Sequence, residues 1–170
     1  MKKLWSSLVV IAAFAMFASL VTAGPFPTWD NQINRPGRFV VLSDFNNQAV
    51  LDKETGLVWE QSPSTVPRAW HVAFDCYIST IGGRKGWRVP TVEELASLID
   101  PTQANPALPA GHPFSNVQVS DGYWSATTVA GNTSDAWDVS FIGNGLVGSA
   151  GKNASLLVWC VRGGHGYDGQ

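Results

Sequence analysis

The hydrophobic pattern of this chain changes period several times, and each change marks an expected element. Residues 4–20 are apolar apart from Ser6, Ser7 and Ser19. Residues 39–42 and 49–51 read as short strands; 52–56 is a turn from which 57–60 returns as a hairpin. The period then lengthens. Val66, Trp70, Ala73, Tyr77 and Ile81 are spaced four, three, four and four, which predicts an amphipathic helix of about four turns. Pro67 suits its first turn and Gly82-Gly83 its end. Thr91 and Glu94 form a capping box, so a second helix starts there and continues through Leu95, Leu98 and Ile99 until Asp100-Pro101 stops it. Residues 101–122 make a long connection. Strand patterns return at 123–127, 136–142, 146–147 and 156–162. In the second of these, Trp137, Val139 and Phe141 alternate with polar or small residues, as in a half-buried antiparallel strand. The last run is apolar on both faces, so a central strand is expected. The order predicts an α+β fold, two helices packed beside antiparallel sheet.

The amino terminus adds a compartment. Met1-Lys2-Lys3, the apolar run and Val21-Thr22-Ala23 follow the order of a secretory signal peptide cleaved before Gly24. The alternative is an uncleaved anchor, for which the run is slightly short. The expected organisation is a signal at 1–23, an extended lead at 24–37, one domain at 38–164 and a loose tail at 165–170, with no membrane association once the signal is cut. The chain has two cysteines, Cys76 and Cys160. In an oxidising compartment they are expected to pair, closing a loop of roughly 85 residues for about 4.5 kcal/mol in the chain-entropy account. Two buried free thiols or a redox pair are the alternatives.

Charge narrows the partners. Eleven basic residues, less Lys2 and Lys3, leave nine against thirteen acidic ones. That excess of acid disfavours nucleic acid, which wants a basic face. It also disfavours a strong electrostatic grip on acidic polysaccharide, unless a local basic patch exists.

Four motifs carry a resemblance: Thr55-Gly56-Leu57-Val58-Trp59-Glu60, Gly86-Trp87-Arg88-Val89-Pro90-Thr91-Val92-Glu93-Glu94-Leu95, Tyr123-Trp124-Ser125-Ala126-Thr127 and Trp159-Cys160-Val161-Arg162-Gly163-Gly164. The element order with its disulfide resembles the C-type-lectin-like fold. The motifs resemble a bacterial exported domain family typified by the C-terminal domain of a collagen-like adhesin, over about residues 49–164. The resemblance implies a lectin-like fold. More loosely, it implies binding of sulfated polysaccharide, which is associated with the adhesin. No Gly-X-Y collagen repeat is present, so the adhesin's oligomerising stalk is missing.

The candidate chemistry is recognition rather than reaction. Trp87, Trp124 and Trp159 are expected in the core. Arg88 and Arg162 are expected to brace carboxylates or carbonyls. The tripeptides with which lectin relatives bind calcium are missing, although Asn132, Asp135, Asp138, Asn144 and Asn153 gather oxygen; solvated turns explain these better than a site that needs about six to eight oxygens. His71, His112 and His165 are scattered, and no G-x-S-x-G or H-E-x-x-H occurs. No catalytic residue, metal or cofactor is expected. Polar loops at 129–135 and 143–153 are the expected ligand surface, with Asn132, Asp135, Asn144 and Asn153 as contacts. The expected partner is extracellular polysaccharide. Alternatives are a surface protein or a structural envelope role, and an oxidase related to the formylglycine-generating enzyme, which would need reactive cysteines.

Overall fold

A computed structural model describes residues 36–163. The expected signal, nearly all of the lead segment and the tail lie outside the described residues. The hairpin at 49–60 forms as its pattern predicts. Strands β1 (Phe39–Val41), β2 (Ala49–Asp52) and β3 (Val58–Glu60) run antiparallel. The turn between β2 and β3 is organised by one carboxylate. Asp52 accepts from the Glu54 backbone N–H at 3.0 Å and from the Thr55 hydroxyl at 3.0 Å. Gly56 closes the turn in the left-handed region, φ +73°, which favours glycine.

The first helix is much shorter than expected. It comprises one turn, α1 (Trp70–Ala73), continued by a 3-10 segment at Phe74–Ile78. Of the expected stripe, Trp70, Ala73 and Ile81 face the core while Val66 and Tyr77 are exposed, so only its middle and its end pack inward. The cause of the shortening is tertiary pairing. β4 (Arg68–Ala69) joins a two-stranded sheet with β9 (Ser155–Leu156), and the Trp70 backbone N–H donates to the Lys152 carbonyl at 3.1 Å. Backbone groups committed to a strand partner are lost to a helix. The capping box is present as read. The Thr91 hydroxyl accepts from Glu94 N–H at 3.3 Å and Glu94 Oε2 accepts from Thr91 N–H at 2.8 Å. It starts α2 (Val92–Ala96), whose Leu95 is wholly buried.

The expected central strand at 156–162 is divided, and its division joins the sheets. Leu156 ends β9. Leu157 then bridges Tyr123, the first residue of β6 (Tyr123–Val129). Val161-Arg162 forms β10, which lies between β3 and β5 (Trp87–Arg88) in the order β1-β2-β3-β10-β5. Every residue from Leu157 to Val161 is buried. The apolar run is therefore central, although its backbone bonds go to three different sheets. The third sheet is β6-β7-β8, with β7 at Asn132–Ser140 and β8 at Leu146–Gly151.

Two buried clusters fill the interior. Trp59, Tyr123, Phe141 and Trp159 centre one, with Leu95 and Leu98. Trp87, Trp124, Ala73 and the cysteines form the other. Trp87, Trp124 and Trp159 are all wholly buried, as expected. Cys76 and Cys160 are bonded, with Cα atoms 5.7 Å apart. The fold is thus mostly antiparallel β with short helices and one disulfide. The two-helix layer expected from periodicity reduces to single turns.

Candidate functional site

The four residues expected to touch ligand do not form one site. The segments holding them are mostly strand rather than loop. Asn132 and Asp135 lie on β7, and Asn132 Nδ2 donates to Asp135 Oδ2 at 2.9 Å. Asn153 sits in the turn after β8, near that end. Asn144 lies in the turn between β7 and β8, at the hairpin's other end, and donates to the Pro101 carbonyl at 2.9 Å. β7 and β8 pair continuously from Asp135–Gly151 to Ser140–Leu146, so the length of the ladder separates Asn144 from the other three. The same separation disperses the oxygen-rich group considered for calcium. Asp138 faces Gly122 and Gly148, and burial holds its carboxyl above the usual range.

A different constellation is assembled around Phe45. The segment Gly82-Gly83-Arg84-Lys85-Gly86 passes beside this residue. Gly82 takes φ +62°, and a Cβ there would lie 2.7 Å from Phe45 atoms. Only a residue without a side chain fits so close an approach. Two hydrogen bonds fix the segment: Gly82 N–H donates to Gln48 Oε1 at 2.8 Å, and Trp87 Nε1–H donates to the Arg84 carbonyl at 2.9 Å. From the far end of the chain, Arg162 Nε donates to the Lys85 carbonyl at 2.9 Å. The guanidinium carbons of Arg84 and Arg162 then stand 5.6 and 5.8 Å from the Phe45 ring centre. Arg84 and Lys85 are exposed and Arg162 half-buried.

These cations contrast with Arg38 and Arg88. Arg38 meets Asp52 through two bonds of 2.8 and 2.7 Å, both partners buried. Arg88 meets both oxygens of Glu94 at 2.7 and 2.6 Å and also the Gly163 carbonyl at 2.6 Å. Arg88 is the brace that was expected. Arg84, Lys85 and Arg162 make no ion pair with a carboxylate among the described residues. Of this group, sequence reading singled out only Arg162, as a brace, and its bond to the Lys85 carbonyl bears that out. The local signal was Arg84-Lys85 set between glycines. Phe45 gave none, because nothing in the sequence places it under Gly82.

Residues 48–162 match the Lcl C-terminal domain, a bacterial domain family, and the chain belongs to that family. The match spans more than half of the chain and ends at the arginine of the patch. Among curated proteins none matches.

Proposed function

We propose that this chain is an exported, C-type-lectin-like binding module that holds an acidic extracellular polysaccharide on Arg84, Lys85 and Arg162 without catalysing a reaction. The observation that carries this is the gathering of three cations without carboxylate partners among the described residues, two of them over the Phe45 ring and Lys85 next in sequence to Arg84, in a chain whose net charge is −2. Unpaired cations held close together repel one another and are stabilised when a polyanion approaches. The planar guanidiniums suit bidentate contact with sulfate or carboxylate groups. The patch is the kind of local basic surface that a grip on acidic polysaccharide needs at this overall charge. The disulfide is the state expected of a protein outside the reducing cytoplasm, which supports export.

The test is binding to immobilised dextran sulfate, with uncharged dextran as the control. Retention on the sulfated polymer should vanish as salt approaches about 1 M, where the screening length is about 3 Å. Replacing Arg84 and Lys85 with Ala should abolish it, and a chelator should leave it unchanged. Equal retention of wild type and variant would reject the site. Loss with chelator, restored by calcium, would reject the mechanism.

A surface-protein partner is the second reading, favoured by one observation. β8 is an edge strand carrying exposed Leu146 and Val147, beside exposed Ile142. Edges of this kind can accept an added strand. Retention of a partner that survives the Arg84 and Lys85 changes but not charges placed on β8 would favour it.

A further inference from the structure

Glu60 ends β3 at the meeting point of two clefts. The larger, about 280 Å³, is walled by Val72, Ala73, Val158 and the Cys76–Cys160 disulfide. The smaller, about 190 Å³, is polar, with Gln48, Gln61 and Ser62. The Glu60 backbone is locked. Its N–H donates to the Cys160 carbonyl at 3.0 Å, and its carbonyl accepts from Trp159 Nε1 at 2.7 Å. Its side chain lines both clefts. Among the described residues the carboxyl receives a single long bond, from Cys160 N–H at 3.4 Å, although an ionised carboxylate can accept about four. No cation is paired with it among the described residues.

The other charged groups lining the larger cleft are Arg68 and Asp75, both exposed at its mouth. On the core side Tyr123 is close enough to feel the Glu60 charge, and its hydroxyl is held neutral, pushed up to about 12 mainly by burial. Beside Arg68 and Asp75, Ile78 offers an apolar surface open to solvent, 79% exposed. The lining thus combines an apolar wall with the under-bonded Glu60 carboxylate, while Arg68 and Asp75 are exposed to solvent. A cavity near the lower end of the usual range of about 300–1,000 Å³ suits a small ligand.

We infer that the cleft between the disulfide and Glu60 binds a small organic ammonium compound, its apolar chain on Val72, Val158 and Ile78 and its N–H donors on the Glu60 carboxylate. This site is separate from the cationic patch and requires nothing of it. Burial pushes the Glu60 carboxyl up to about 7, so affinity is coupled to pH. The carboxylate that the ammonium needs forms as pH rises, and a bound cation favours that charged form in turn.

The probe is n-hexylammonium, titrated into the full-length protein by calorimetry, with 1-hexanol and hexanoate as controls. Saturable binding of the ammonium is expected, at least about tenfold tighter than either control, a gap of about 1.4 kcal/mol. It should strengthen about tenfold or more from about pH 5 to about pH 8. Glu60→Gln should remove the preference over hexanol, whereas Asp75→Asn should leave it intact. In wild-type protein, the ammonium should lower the midpoint of the Glu60 carboxyl titration followed by carbon NMR. That reading keeps the test valid if Glu60→Gln perturbs the fold. Equal binding of hexanol, an unmoved Glu60 midpoint, loss of the preference in Asp75→Asn or no saturable binding would each overturn the assignment.

Discussion

The β2–β3 ladder carries a carboxyl at each end, and the two ends are built on different rules. At the turn end, Asp52 is wholly buried and fully engaged. It takes two bonds from Arg38 and orders the turn through Glu54 and Thr55, while Arg38 also donates to the Ser97 carbonyl at 2.9 Å. At the open end, where Ala49 pairs with Glu60, Glu60 has one long backbone bond and no paired cation among the described residues. The nearby surplus of positive charge is spent on Phe45 and on solvent. Where charges are matched, the sheet is braced; where they are unmatched, it presents clefts and a patch. Buried pairing is thus a guide to which charged residues serve the fold and which are left for partners.

Breaking the matched end should have the largest effect. Asp52→Ala leaves the Arg38 guanidinium buried without its carboxylate and should cost about 3–5 kcal/mol in urea denaturation. A loss below about 1 kcal/mol would mean that the pair is no brace. The open end is held by a covalent bond beside Glu60 instead. Cys76→Ala should cost about 2–5 kcal/mol, the range for removing a native disulfide from a small domain. Intact mass should rise by about two protons on reduction of the native protein.

Glu60 itself should give a change of opposite sign. Its carboxyl rises from about 4.5 to about 7 in the fold, so between those values the unfolded chain releases a proton that the native state retains. Stability therefore falls with rising pH across that window and levels off above about 7. The loss is on the order of 3 kcal/mol, from a shift worth about 1.4 kcal/mol per unit. Glu60→Gln should thus be more stable than wild type at about pH 8 and nearly equal to it below about pH 4.5. Taking the difference between the two proteins cancels the similar contribution from Asp138. A variant less stable at alkaline pH would show that the two ends of the ladder are alike after all.

What the sequence showed depended on the distance over which each feature is decided. The Thr91–Glu94 box, the 49–60 hairpin and the burial of Trp87, Trp124 and Trp159 rest on local pattern, and they appear as read. The disulfide spans 84 positions, yet it was legible because two cysteines allow a single pairing. The helix expected from Val66 begins only at Trp70 and ends at Ile78, because Arg68 and Trp70 give their backbone groups to a segment more than eighty positions later. The run 156–162 was legible as buried but not as one strand, since apolarity records burial and not which sheet supplies the hydrogen bonds. The cationic patch was hidden for the same reason. Phe45, Arg84 and Arg162 meet only once β10 is placed between β3 and β5. In contrast, the polar residues Asn132, Asp135, Asn144 and Asn153 looked like a loop cluster because polarity along a hairpin resembles polarity in a loop.

The smallest expected effect is the sharpest test of the contrast between the ends. Arg84→Ala and Lys85→Ala each remove a cation that the fold does not pair. Exposed substitutions of this kind stay within about 0.5 kcal/mol. Arg84 has slightly more to lose, because an exposed cation over an aromatic ring contributes about 0.5–1 kcal/mol and its guanidinium carbon lies 5.6 Å from Phe45. Lys85 makes no such contact, so the order should be Arg84 above Lys85, with both far below Asp52. Their backbone carbonyls, which hold Trp87 and Arg162, survive the change to Ala and keep the segment in place. Thermal unfolding of the two variants measures this directly. A loss above about 2 kcal/mol in Lys85→Ala would put that residue with Arg38 and Arg88 among the braces. A loss within about 0.5 kcal/mol, with retention on dextran sulfate abolished in the double variant, would separate a charge kept for a partner from a charge kept for the fold.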